Sequence, residues 1–198
     1  MLPKTFQLMK YDAARRQIQD GAIALYRAWA VDPEHGDDPK LSNKLIAAAG
    51  RVYCHAGLLM RTHEHVLLLD TRQWRGGGVS QFSEEVRQCP GLWDVYHVTH
   101  PDYSRRLAVK RMCEIIGRQY GWESLAKAAM RYTAIGRWLF PRVDVDDMKR
   151  HNPYCSMAVS AAVRNGRVDL CPERADLFTE PYHLALSEFT EYFGTLVS

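Results

Sequence analysis

The stretch Asn152-Pro153-Tyr154-Cys155-Ser156 stands directly ahead of an alanine- and valine-rich segment. That order predicts a helix with Cys155 in its first turn. Aligned peptide dipoles at a helix start favour an anion, which lowers a thiol pKa and raises the thiolate fraction. A thiolate there is a poised nucleophile; the plainer reading is a small buried residue, as most free cysteines are. A second group comes from Tyr53-Cys54-His55-Ala56-Gly57-Leu58-Leu59 and Leu67-Leu68-Leu69-Asp70-Thr71. Here an imidazole interrupts an apolar strand, and a carboxylate ends the neighbouring strand. A base on a strand, oriented by a second polar group, is what a cysteine nucleophile needs. Taken singly, His55 also reads as a satisfied core histidine and Asp70 as a strand-end carboxylate capping the turn at Thr71-Arg72.

Other constellations are weaker. Cys54, His55, His63 and His65 suggest a metal site, but Cys54 and His55 are adjacent in a strand and point to opposite faces. No metal is expected. Gly76-Gly77-Gly78 lacks the lysine and hydroxyl that follow a phosphate-binding loop and reads as a flexible corner, a hinge beside the site. Arg72 and Arg75 flank it and could hold a substrate carboxylate, or be solvated charge. Trp74 and Trp122 could wall a pocket or pack in a core. Arg105, Arg106, Lys110 and Arg111 make a basic helical face, solvated by default, with a partner surface as the lesser reading.

The elements that must position these residues follow from pattern. Tyr11 to Asp20 reads as a short polar helix and Ala22 to Tyr26 as a buried strand. Asp32 to Lys40 is turn-rich, and Ser42 caps a helix through Ala49 that Gly50 ends. Tyr53 to Met60 and Val66 to Leu69, separated by polar residues, form a hairpin. Val79 to Phe82 and Leu92 to Val98 are further strands, with Ser83-Glu84-Glu85 a capped helical turn between them. From Asp102 the period changes: Val109, Met112, Cys113 and Ile116 share one helical face. A second helix runs from Glu123 to about Leu139, before Pro141, and Asp144, Asp146 and Asp147 mark an acidic loop. The helix Tyr154 to Arg164 ends at Asn165-Gly166, and the tail from Pro181 to Val197 holds a short helix and a last strand. No internal repeat is visible, and the class is α+β.

Composition sets outer bounds. The chain has 198 residues, 46% hydrophobic and 25% charged, enough for one domain with its own core and too apolar for a disordered tail. Twenty-six Lys+Arg against 23 Asp+Glu leave +3, too small and scattered an excess to predict a nucleic-acid groove or an anionic membrane. Five cysteines with no CxxC pair argue against a disulfide framework and a zinc knuckle. No signal peptide and no transmembrane segment is read, so the expected place is the cytoplasm as synthesised.

Taken together these segments resemble the circularly permuted NlpC-type papain-like amidases, YiiX-like bacterial proteins related to lecithin retinol acyltransferase. The resemblance runs from Gly21 to about Leu186. It rests on Gly21-Ala22-Ile23-Ala24-Leu25, Tyr53-Cys54-His55-Ala56-Gly57-Leu58, Leu68-Leu69-Asp70-Thr71, Tyr154-Cys155-Ser156-Met157-Ala158-Val159, and Thr179-Glu180-Pro181 with Leu184. The order His, acid, Cys is that of the permuted form. The resemblance implies a permuted papain-like fold over residues 1–198, an antiparallel sheet packed against helices, with an N-terminal helical segment (1–20) and a helical insertion (102–150). It implies a thiol hydrolase in which Cys155 is the nucleophile, His55 the general base and then acid, and Asp70 the group fixing the imidazole. Ser156, at the helix start, and Tyr120, in Tyr120-Gly121-Trp122, are the oxyanion candidates; a tyrosine closing a helix against the core is the other reading of Tyr120. Two departures stand out: the family commonly has a glutamate where Asp70 stands, and an acidic residue often follows the glycine where Ala22 follows Gly21. The implied substrate is a peptide or acyl amide, with cell-wall (peptidoglycan) peptide foremost, and no cofactor is needed. The alternatives are a lipid acyl hydrolase or transferase, and a catalytically silent assembly module of the same fold, such as a component of a phage or secreted particle.

Overall fold

A computed structural model describes residues 5–27, 52–130 and 152–198. The expected loop Asp32 to Lys40, the helix from Ser42 to Ala49, the helix beyond Met130 and the acidic loop at Asp144 lie outside them. Among the described residues seven strands form one sheet: β1 (Leu8–Lys10), β2 (Ile23–Arg27), β3 (Tyr53–Arg61), β4 (Val66–Arg72), β5 (Gly76–Gln81), β6 (Trp93–Val98) and β7 (Thr190–Val197), in the order β1-β7-β6-β2-β3-β4-β5. Among the described residues the helices are α1 (Tyr11–Ala14), α2 (Phe82–Gln88), α3 (Arg105–Cys113), α4 (Trp122–Met130), α5 (Cys155–Asn165) and α6 (Pro181–Leu186), with a 3-10 turn at Asp176–Phe178. The class is therefore α+β. No helix among the described residues is long and apolar enough to cross a membrane.

Strand alternation sends side chains to two faces. On one, Ile23, Leu25, Ala56, Leu58 and Leu69 meet α3, α5 and α6; on the other, Ala24, Leu59, Leu68, Val95 and Leu196 meet Tyr11, Ile18, Phe82 and Val86. Helix α5 lies inside for all but its last two residues, with every residue from Cys155 to Val163 buried. Its small residues suit a helix that is apolar nearly all round and packed on all sides.

Four expectations are corrected. The sheet is mixed rather than antiparallel, because β1 pairs parallel with β7 at the edge. Residues 1–20 are not simply helical: the described part opens with β1, and α1 is one turn long. The buried face of α3 is Ala108 and Met112, continued by Ile115, while Cys113 and Ile116 are exposed, so the 102–130 segment is part of the main core. Lastly, Gly76-Gly77-Gly78 is no hinge. It is the start of β5, paired residue by residue with Arg72, Thr71 and Asp70 of β4. Its outer edge is bonded to the turn after α3, Gly77 donating to the Arg118 carbonyl at 2.8 Å and accepting from Gly117 N–H at 2.9 Å. A Cβ on Gly77 would stand 2.0 Å from the Ile115 carbonyl oxygen, so glycine serves close backbone approach here.

Candidate active site

Strands β3 and β4 pair from Arg61 with Val66 to Gly57 with Asp70 and no further, although β3 reaches back to Tyr53 and β4 runs on to Arg72. His55 and Ala56 belong to β3 where it has parted from β4, and Asp70 stands at the fork. The N-terminus of α5 meets this opening. The Cys155 sulfur is hydrogen-bonded to the His55 ring and receives the backbone N–H groups of Ala56 and Ser156.

His55 Nε2 lies 3.0 Å from Asp70 Oδ2, which leaves Nδ1 for the sulfur. The imidazole is further held edge-on against Trp93, with ring centroids 6.2 Å apart. Asp70, 1% exposed, also accepts from Arg72 Nε at 2.6 Å and from Arg75 Nη2 at 2.8 Å. Arg72 Nη2 in turn lies 2.7 Å from Glu85 Oε1 on α2.

Charge follows contact. Burial works against the Cys155 thiolate, but the hydrogen bond and charge of His55 and the two N–H groups outweigh it, and the thiol is held below its ordinary value. Burial likewise opposes the imidazolium, yet the bonds to Asp70 and Cys155 raise His55 to about 9. Asp70 pays the same desolvation penalty, overcome by His55 and Arg72, and falls to about 2. Both shifts favour a thiolate–imidazolium pair braced by a carboxylate. The neighbouring thiols differ. Burial, with the charge at Cys155, pushes Cys54 up to about 12, and burial pushes Cys171 up to about 12.

The other expected residues fall as follows. The Ser156 hydroxyl is buried and donates to the Thr179 carbonyl at 2.7 Å, so only its backbone N–H faces the sulfur. Tyr120 stands close enough to Cys155 for a thiolate there to raise its phenol further, beyond the larger effect of burial. Gly121 is what lets it approach: the chain crosses the start of α5 so tightly that a Cβ would lie 2.0 Å from the Asn152 carbonyl oxygen. Arg72 and Arg75 are engaged with Asp70. Trp74 is 80% exposed in the β4–β5 turn and Trp122 47% exposed. Their ring centroids are 5.9 Å apart, and Trp122 is 5.2 Å from Tyr120, so an aromatic row leads from solvent towards the thiol. His63 and His65 lie in the exposed β3–β4 turn, and among the described residues no three metal-ligating side chains converge.

Sequence reasoning missed Glu85, Trp93 and the seat that Gly78 makes for Arg75. The only available signal was the spacing of two arginines two and five residues after an acid. Compared with known proteins, the chain matches no family model and no curated protein sequence.

Proposed function

We propose that this chain is a thiol hydrolase of the permuted papain-like kind that cleaves an amide through an acyl-enzyme, with cell-wall peptide as the foremost substrate class. The observation that carries the reading is the unbroken hydrogen-bonded series Cys155–His55–Asp70 at the start of a buried helix. The three groups come from α5, β3 and β4.

In this reading the Cys155 thiolate attacks the carbonyl carbon, a C–S bond forms, and negative charge moves to the carbonyl oxygen. The N–H groups of the first helical turn lack intrahelical partners and receive that oxyanion, with the Tyr120 hydroxyl beside them. Collapse breaks the C–N bond as His55 passes its Nδ1 proton to the departing amine. Water then gives a proton to His55 and attacks the thioester. The C–S bond breaks, a carboxylic acid leaves, and the ion pair is restored. Trp74 and Trp122 offer apolar surface to the group carried by the acyl carbon. That surface also suits a lipid acyl chain, the second reading, in which an ester or amide of a fatty acid is the substrate.

Peptide mapping after treatment with an electrophilic acyl-type thiol probe at neutral pH tests the chemistry. Cys155 is expected to take the label ahead of the other four cysteines and to lose it in His55→Ala. Equal labelling of all five would overturn the proposal. Release of a free amine from peptidoglycan peptides, or of fatty acid from an acyl amide, then separates the two substrate classes.

A further inference from the structure

The acid end of the site is built more heavily than orienting one imidazole requires. Oδ2 of Asp70 is shared by His55 and Arg72, and Oδ1 is taken by Arg75. Arg72 is itself tethered to Glu85. Arg75 belongs to an exposed turn and could extend into solvent, yet it folds back over β5. Gly78 is the residue opposite Asp70 in the β4–β5 ladder. A Cβ at Gly78 would stand 2.8 Å from Arg75 Nε, 3.1 Å from Cζ and 3.2 Å from Nη2, so the bare backbone there is the surface on which the guanidinium lies. The charged groups around Asp70 are thus His55 from β3, Arg72 from β4, Arg75 from the turn and, through Arg72, Glu85 from α2; β5 contributes no charge at this register.

We propose that Arg75, seated on Gly78, and Arg72, tethered by Glu85, are positioning residues that clamp the Asp70 carboxylate towards His55, rather than groups that bind substrate. This rests on the reading of Cys155, His55 and Asp70 as the catalytic set. A carboxylate held on one oxygen can swing about its terminal torsion, which is soft; arginines on both oxygens remove that freedom. Loss of the clamp therefore loosens His55 and, through it, the thiolate.

The test is the rate of Cys155 alkylation by iodoacetamide against pH, followed by mass spectrometry on the full chain. The reagent is small, uncharged and has no carboxylate for an arginine to bind. In Arg75→Gln and Gly78→Ala the acid limb should move to higher pH, making alkylation about tenfold slower on the acid side, the equivalent of one pKa unit. Arg75→Lys should recover part of the loss. Gly78→Ala removes no charge, so its shift reports the loosening of Asp70 rather than the loss of a cation; a shift in Arg75→Gln with none in Gly78→Ala would overturn the clamp. Arg75→Gln added to Asp70→Asn should change little further. A wild-type profile in both Arg75→Gln and Gly78→Ala, or an equal effect of Arg75→Gln with and without Asp70, overturns the clamp alone. An ordinary thiol profile for wild-type Cys155 overturns the catalytic reading together with it.

Discussion

At the scale of single residues, the site works by setting two pKa values against each other. Cys155 is depressed and His55 is raised to about 9, so the ion pair exists between the two. Activity should therefore rise with pH through the depressed thiol value, hold a plateau, and fall as pH passes about 9, where His55 loses the proton it gives to the leaving group. A kcat/KM profile checks this; a basic limb near 6.5, the value of a free imidazole, would contradict the bonded arrangement. Asp70→Asn keeps the shape but not the charge, and kcat should fall by about 100-fold or more while the fold, followed by circular dichroism, is retained. The cysteines show how much of this depends on surroundings. Cys54 lies one residue from His55 in sequence, yet burial drives its thiol to about 12.

At the scale of elements, the forked pair β3/β4 and the buried helix α5 divide the work between them. The fork leaves the Ala56 N–H free of the β3–β4 ladder, and the helix brings the sulfur to it. A polar knot ties β3, one arm of this fork, to β2, β6 and β7. Arg27, at the end of β2, bonds Asp94 of β6 through Nε at 2.9 Å and Nη2 at 2.6 Å. Tyr53 of β3 donates to the same carboxylate at 2.7 Å, and Arg27 also reaches Thr195 of β7 at 2.7 Å. Asp94 is fully buried. Arg27→Ala would strand that carboxylate without its cation, and a broken buried pair costs about 3–5 kcal/mol. The expected outcome is a large drop in the denaturant midpoint. Gly77→Ala tests the β5 edge in the same assay. Its Cβ would press on backbone, the Ile115 carbonyl, rather than on a yielding side chain, and overpacking of this kind costs on the order of 1–3 kcal/mol or more.

At the scale of the whole molecule, the same ionic groups tie stability to pH. Asp70 has a folded value of about 2 against an unfolded value near ~3.9, so its contribution is fully present above the unfolded value and disappears as pH falls through the folded one. The shift corresponds to about 2–3 kcal/mol. His55 has the opposite sign: its stabilisation is complete below the unfolded value near ~6.5 and is lost as pH rises through about 9. Together these two groups contribute most between roughly pH 4 and 6.5. Urea unfolding across pH 3 to 10 should show a dome whose acid shoulder flattens in Asp70→Asn; an unchanged shoulder would mean that the carboxylate is not held as described.

How far the amino-acid order alone reaches is clear from particular residues. It was enough to put Cys155 at the first turn of a helix, His55 and Asp70 on consecutive strands, and a short helix and a last strand within the tail from Pro181 to Val197, because periodicity, caps and turn residues act over a few positions. It could not show that Arg72 and Arg75 turn inward, that Ser156 spends its hydroxyl on Thr179, or that Gly78 is a seat rather than a hinge. Those outcomes depend on which distant backbone arrives at each side chain. Residue 155 meets residue 55 only after the chain has closed a loop of about a hundred residues, and local preference carries no information about that meeting. Packing decides it, because α5 is buried on every side and can reach the fork only where its small residues fit.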